Sequence, residues 1–172
     1  IQLQIALGCL CGYIVVVDDY SSIPVFSDDP DSPEDFFIRM EILEPVVKKV
    51  KEKNDLRPKT VLCREPLKNG EIGEIIKLAE HIGKALLAAH TYQEDGKSRP
   101  IIHRDVKLDN IMYEPKGDRY KLGDFGVATI IEDVEKSHTR NTGTGGYMAP
   151  EVYRYGHYDQ RADIYSYGIV LY

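Results

Sequence analysis

A chain of 172 residues, 42% hydrophobic and 29% charged, has the composition of a globular protein, which excludes global disorder. Its net charge of −6, with 11 acidic against 7 basic residues over 1–60, leaves no basic excess for a nucleic-acid backbone, so no nucleic-acid partner is expected. Three cysteines, Cys9, Cys11 and Cys63, are an odd set without zinc spacing, which points to thiols in a reducing cytoplasm rather than a disulfide framework.

The most apolar stretch is 1–17, IQLQIALGCLCGYIVVV. Gln2, Gln4, two glycines and Asp18-Asp19 leave it short of the roughly 20 apolar residues of a membrane span. No basic segment or small-residue cleavage site marks it as a signal peptide. It reads as core, a helix end followed by a strand, and no membrane segment is expected in these residues.

Ile14–Tyr20 is β-branched and predicts a buried strand. Ser21–Asp35, with Pro24, Pro30 and Pro33, predicts a loop. Phe36–Leu43 predicts a second strand, stopped by Pro45, Val46–Lys53 a short helix, and Asn54–Lys59 a polar turn. Ile72–His90 carries apolar residues at 72, 75, 76, 79, 82, 86 and 89, the spacing of one buried helical face. Thr91–Arg99 reads as a polar connection. Short strands follow at Ile101–Ile102, Ile111–Tyr113 and Tyr120–Leu122, the last two joined by a turn at Gly117-Asp118. Ala162–Tyr172 predicts an apolar helix. This segregation of strands and helices implies an α+β fold. The chain opens at Ile1 without Met and stops inside the apolar run 164–172, so it reads as part of a larger domain.

The chemistry concentrates in 101–113, IIHRDVKLDNIMY, and in Leu122-Gly123-Asp124-Phe125-Gly126. Asp105, Asn110 and Asp124 lie on loops flanking a small strand pair. Two carboxylates and an amide there suit a hard divalent cation, which takes oxygen ligands. A cation on Asn110 and Asp124, with Asp105 as base and Lys107 as a positive clamp, is a layout for phosphoryl transfer.

The segment His103-Arg104-Asp105-Val106-Lys107-Leu108-Asp109-Asn110 resembles the catalytic loop of protein kinases, with Val106 and Leu108 as mild departures. Asp124-Phe125-Gly126 resembles the metal-binding D-F-G motif, and Ala149-Pro150-Glu151 the A-P-E motif, at spacings of 19 (Asp105 to Asp124) and 27 (Asp124 to Glu151). The resemblance implies a partial protein-kinase-like fold. Residues 1–43 would be the end of the small lobe with the hinge, and 44–172 the first part of the mainly helical large lobe. It implies ATP and Mg2+ as cofactors and a protein substrate. Lys107 and Gly143-Thr144-Gly145-Gly146-Tyr147 are similar to the serine/threonine branch, with Thr144 bridging Asp105 and Lys107.

The same resemblance implies that Met40 guards the adenine pocket, that the Glu41 carbonyl and Leu43 amide bond the adenine edge, and that Met112 packs beneath the ring. Asp163 would accept bonds from the catalytic-loop backbone, and His103 and Phe125 would stack in the core. Arg104 beside Asp105 suggests a loop ordered by phosphorylation at Thr139 or Thr142, with Ser137 a weaker acceptor.

The family's glycine-rich loop, its strand lysine and that lysine's helix glutamate have no counterpart here, nor does the arginine partner of Glu151. The 172 residues alone are expected to be inactive and poorly stable, with Ile164, Ile169, Val170 and Leu171 facing water. Two other readings stay open: a non-catalytic kinase-like binding module, and a small-molecule phosphotransferase. The retention of Asp105, Asn110 and Asp124 favours catalysis over the first. Lys107 with the Gly143–Glu151 segment favours a protein substrate over the second.

Overall fold

The structure, a computed structural model, describes residues 11–15, 17–24, 34–41, 43–50, 59–125, 128–130, 144–155 and 159–172. At 17–24, 34–40, 50, 59–60 and 129–130 it describes the backbone alone.

Strand β1 (Val17–Pro24) pairs antiparallel with β2 (Glu34–Met40), and Pro24 lies opposite Glu34 at the end of the ladder. The loop expected over Ser21–Asp35 is thus shorter at both ends. A proline at the last rung removes no interior ladder bond, so it does not stop the strand earlier. Where a helix is expected over Val46–Lys53, the chain forms β4 (Val47–Val50), paired with β5 (Lys59–Leu62). Val46 and Val47 are buried, and Cys63 N–H donates to the Val46 carbonyl at 2.7 Å. β-branched side chains packed on a partner strand outweigh a weak helical pattern. Lys59, expected to close a polar turn, opens β5, and residues 51–58 lie outside the described residues.

Helix α1 (Glu65–Lys68) is a single turn with Pro66 at its start, where a missing N–H costs nothing. Helix α2 (Ile72–His90) occupies the expected span, but its buried face is Leu78, Ile82, Ala85, Leu86 and Ala89. Ile72, Ile75 and Ile76, expected on that face, are 73%, 37% and 59% exposed. The first two turns run past the packed core. Ile75 instead lines an apolar groove with Leu62, Leu67 and Leu171.

The stretch expected as a plain connection folds into a hairpin, β6 (Gln93–Glu94) and β7 (Lys97–Ser98). Asp95 (φ 51°) and Gly96 (φ 73°) both take the left-handed conformation a tight hairpin turn requires. After β8 (Ile101–Ile102), β9 (Ile111–Glu114) and β10 (Arg119–Leu122) pair antiparallel, and β3 (Glu44–Pro45) joins the other side of β9. β8 also pairs with β11 (Thr129–Ile130). The chain then forms α3 (Pro150–Tyr155) and α4 (Gln160–Leu171), the latter capped by Asp159 Oδ1 accepting from Arg161 N–H at 2.8 Å. Among the described residues no helix is long and apolar enough to cross a membrane.

The core is what positions the loops. Ile101 belongs to the cluster of Ile82, Leu86, Ile111, Tyr120 and Leu122, while Ile102 belongs to that of Ala149, Val152 and Ala162. Alternate faces of β8 are thus gripped by different elements. Arg64 ties α2 to the β9–β10 hairpin: it lies 3.3 Å from the Tyr113 ring centroid and donates to Tyr120 Oη (3.0 Å) and Glu74 Oε1 (3.1 Å). Burial pushes the Tyr120 phenol up, so it stays a donor to Glu74, at 2.9 Å. On α4, Ile164 (51%) and Leu171 (36%) are exposed, whereas Ile169 and Val170 are half-buried.

Candidate active site

β8 delivers the chain into the loop His103–Lys107, and a short 3-10 turn (Leu108–Asn110) returns it to β9. Asp105 is the hub of that loop. Its Oδ2 accepts from Lys107 Nζ at 2.5 Å and its Oδ1 from Thr144 Oγ1 at 2.8 Å. Lys107 Nζ also donates to Thr144 Oγ1 at 2.9 Å, closing a triangle. Asn110 Nδ2 donates to the Asp105 carbonyl (2.8 Å) and to Asp105 Oδ2 (3.2 Å). Partial burial works to raise the Asp105 carboxyl, but the hydrogen bonds from Lys107, Thr144 and Asn110 and the Lys107 charge outweigh it and hold the group below the usual carboxylate range.

The loop backbone is fixed from beneath. Asp163, 1% exposed on α4, accepts from His103 N–H through Oδ2 (2.8 Å) and from Arg104 N–H through Oδ1 (2.9 Å). Arg104 sits at φ 70°, a costly conformation for a non-glycine residue, and its amide bond to Asp163 holds it there. His103 is fully buried and joins the two halves of the site. Its Nδ1 must accept from the Asp105 N–H (3.2 Å), so its Nε2 carries the proton donated to the Gly123 carbonyl (2.8 Å). The ring meets Phe125 edge-on at 4.5 Å.

Asp124 follows directly, exposed and at φ 56°. Gly123 N–H donates to the Asn110 carbonyl at 2.9 Å, which sets Asp124 and Asn110 on adjoining loops. A Cβ on Gly123 would meet Val15 Cγ2 at 2.9 Å, so no larger residue fits there without displacing Val15.

The segment expected to meet adenine lies beside the β9–β10 sheet. Pro45 pairs with Met112, and Met112 with Lys121. Glu41 Oε2 accepts from Lys121 Nζ at 2.6 Å. Leu43 is half-buried, and Met40 ends β2, its side chain outside the described residues. Ser137, Thr139 and Thr142 lie outside them as well.

Residues 32–172 match the family model of the protein kinase domain. The chain belongs to the protein kinase family. The solved structure of the Cydia pomonella granulovirus kinase PK-1 shares the fold, with a TM-score of 0.66 at 21% identity, covering 100% of this chain and 53% of that one. The Arabidopsis thaliana serine/threonine-protein kinase PBL36 is 41% identical over 98 residues, 56% of this chain and 20% of that protein. The Arabidopsis thaliana serine/threonine-protein kinase VIK is 32% identical over 130 residues, 67% of this chain and 29% of that protein. The chain spans less than a third of the length of these curated relatives.

Some contacts of this kinase fold have no counterpart in the motif reading. His90, the last residue of α2, places Nε2 at 2.8 Å from Asp163 Oδ2. Ser166 Oγ donates to the Tyr147 carbonyl at 2.7 Å, tying α4 to the segment that carries Thr144. His81 Nδ1 accepts from Tyr120 N–H at 3.1 Å, joining α2 to β10.

Two of these histidines make stability depend on pH. Burial holds both His103 and His81 below the usual histidine range, and both accept a backbone N–H on Nδ1. The unfolded chain therefore binds more protons than the folded one below the ordinary histidine value. Stability is complete above about pH 6.5 and falls as pH drops through it, His103 alone removing up to about 1.4 kcal/mol per unit. Urea unfolding on either side of that value checks this; a flat profile contradicts it.

Proposed function

We propose that this chain carries the catalytic centre of an ATP-dependent serine/threonine protein kinase. Residues 1–43 then supply the end of the small lobe and the hinge, and residues 44–172 the first part of the large lobe. The observation that supports this most is the closed triangle of Asp105, Lys107 and Thr144, with Asn110 braced against it.

In this reading the serine or threonine hydroxyl gives its proton to Asp105 as its oxygen bonds to the γ-phosphorus. The bond to the β–γ bridging oxygen breaks and ADP leaves. Phosphoryl transfer needs positioning and charge compensation more than a strong base, so a carboxyl held below its usual range is adequate. Lys107 compensates charge on the transferring group, and Thr144 fixes the distance between Asp105 and Lys107. Glu41, Leu43, Met40 and Met112 would seat the adenine.

The donor set fits Mg2+. Asn110 uses its amide N–H groups on Asp105, which leaves its carbonyl oxygen as a ligand, and Asp124 adds an exposed carboxylate on the adjoining loop. Among the described residues no cluster of three or more His, Cys, Asp or Glu side chains could hold a metal. Mg2+ typically takes one or two protein ligands together with nucleotide phosphates, and Asn110 and Asp124 would be those ligands. Held by Asn110 and Asp124, Mg2+ would supply positive charge to offset that of the nucleotide phosphates. Work on ATP and the free thiols Cys11 and Cys63 both favour the cytoplasm.

Peptide phosphorylation by the full-length protein tests the reading at Thr144. Thr144→Ser keeps the hydroxyl and is expected to retain activity. Thr144→Val removes it at nearly constant shape and is expected to lower kcat/KM about ten- to hundredfold. Equal activity of the two variants would contradict the bridge.

A further inference from the structure

We infer that Lys121 is a positioning residue for nucleotide binding: it clamps the Glu41 segment onto the β9–β10 sheet. The inference rests on the kinase reading above.

Lys121 lies on β10, yet its side chain is only 4% exposed. A lysine is rarely so buried without a partner that repays the loss of water. Its ammonium sits 2.6 Å from Glu41 Oε2, eighty residues earlier in the chain. It is also 3.6 Å from Glu114 Oε2, which Arg119 holds at 2.8 Å. Two carboxylates and two cations thus form a connected group on one side of the sheet.

The placement gives this group a role. In register, Lys121 is opposite Met112 on β9, and Met112 is opposite Pro45 on β3. Reaching from β10 to Glu41, Lys121 spans the strand whose Met112 would form the adenine floor. It fixes the segment whose backbone would bond the adenine edge to the sheet that underlies it. Nucleotide then meets a hinge already set at the right height, and less ordering is left to binding. Without the ammonium, Glu41 loses its 2.6 Å counter-charge and the cation between it and Glu114, so the segment is held less firmly to the sheet.

Lys121 is also three residues before Asp124, so it could act on the phosphate end instead. The two routes separate by ligand. A hinge clamp serves adenine and affects ATP and adenosine alike. A route through Asp124 affects only ATP.

The test uses the full-length protein and its Lys121→Met, Lys121→Arg and Glu41→Gln variants. KM for ATP is expected to rise about tenfold in Lys121→Met, with kcat at saturating ATP within about threefold of wild type. Adenosine affinity is expected to fall by a similar factor. Lys121→Arg, which keeps the charge, is expected to recover most of the loss. Glu41→Gln is expected to raise KM for ATP in the same direction, so the test stands even if Lys121→Met does not fold. An unchanged KM, a fall in kcat at constant KM, or a loss confined to ATP would overturn the clamp while leaving the kinase reading intact. A wild type that binds no ATP would overturn the kinase reading itself, and the clamp with it.

Discussion

Asp163→Ala is expected to cost about 3–5 kcal/mol of folding stability, among the largest effects of any single substitution in this chain. The side chain is buried to 1% and receives the His103 and Arg104 amides, with His90 Nε2 also at 2.8 Å. Alanine leaves two backbone donors and a histidine nitrogen without this acceptor, the His103 amide fully buried and the other two partly so, and it frees Arg104 from its left-handed conformation. Against a typical total stability of about 5–15 kcal/mol, that is a large share of the whole. Asp163→Asn keeps one acceptor oxygen but turns an N–H group toward another donor, so it is expected to recover only part of the loss. Urea denaturation of the three proteins measures this, and two variants within about 0.5 kcal/mol of wild type would contradict it.

Asp105→Asn is expected to lower kcat by about 10²–10⁴-fold while leaving KM for ATP within a few-fold. Asparagine keeps the shape and one acceptor oxygen, so Thr144 can still dock. It cannot take the proton of the attacking hydroxyl, and it leaves the Lys107 ammonium without its 2.5 Å counter-charge. Because in the proposed mechanism Asp105 touches the reacting hydroxyl, whereas adenine would meet Glu41 and Leu43 away from that loop, the loss falls on turnover rather than on nucleotide affinity. Steady-state kinetics at saturating ATP check the split; a loss confined to KM would move Asp105 out of the base role.

Much of the site was legible because its groups lie close together in sequence. Asp105, Lys107 and Asn110 span six residues, and Asp124 sits one short hairpin later. The 3.6-residue period likewise located α2 from Ile72 to His90. What the pattern missed depends on distant partners. His90 and Asp163 are seventy-three residues apart, and Glu41 and Lys121 eighty, so no local spacing announces either pair. The exposure of Ile72 and Ile76 has the same origin, since a helical period shows which residues share a face but not where the packed core ends. The strand at Val47–Val50 departs from the helix expected over Val46–Lys53 for a different reason. A short run of valines and lysines suits a helix or a strand, and only the partner β5 decides between them. The hairpin at Asp95-Gly96, by contrast, has a local signal, since that dipeptide favours a tight two-residue turn.

The most direct test of the central claim is to follow the γ-phosphoryl group. The full-length protein is incubated with γ-labelled ATP, Mg2+ and a mixture of protein substrates, and the labelled amino acid is identified, with Asp105→Asn run in parallel. The account predicts Mg2+-dependent label on serine or threonine from the wild type, and about 10²–10⁴-fold slower labelling by a variant that still binds ATP. Label on tyrosine alone, label on a small molecule, or equal labelling by Asp105→Asn would contradict it.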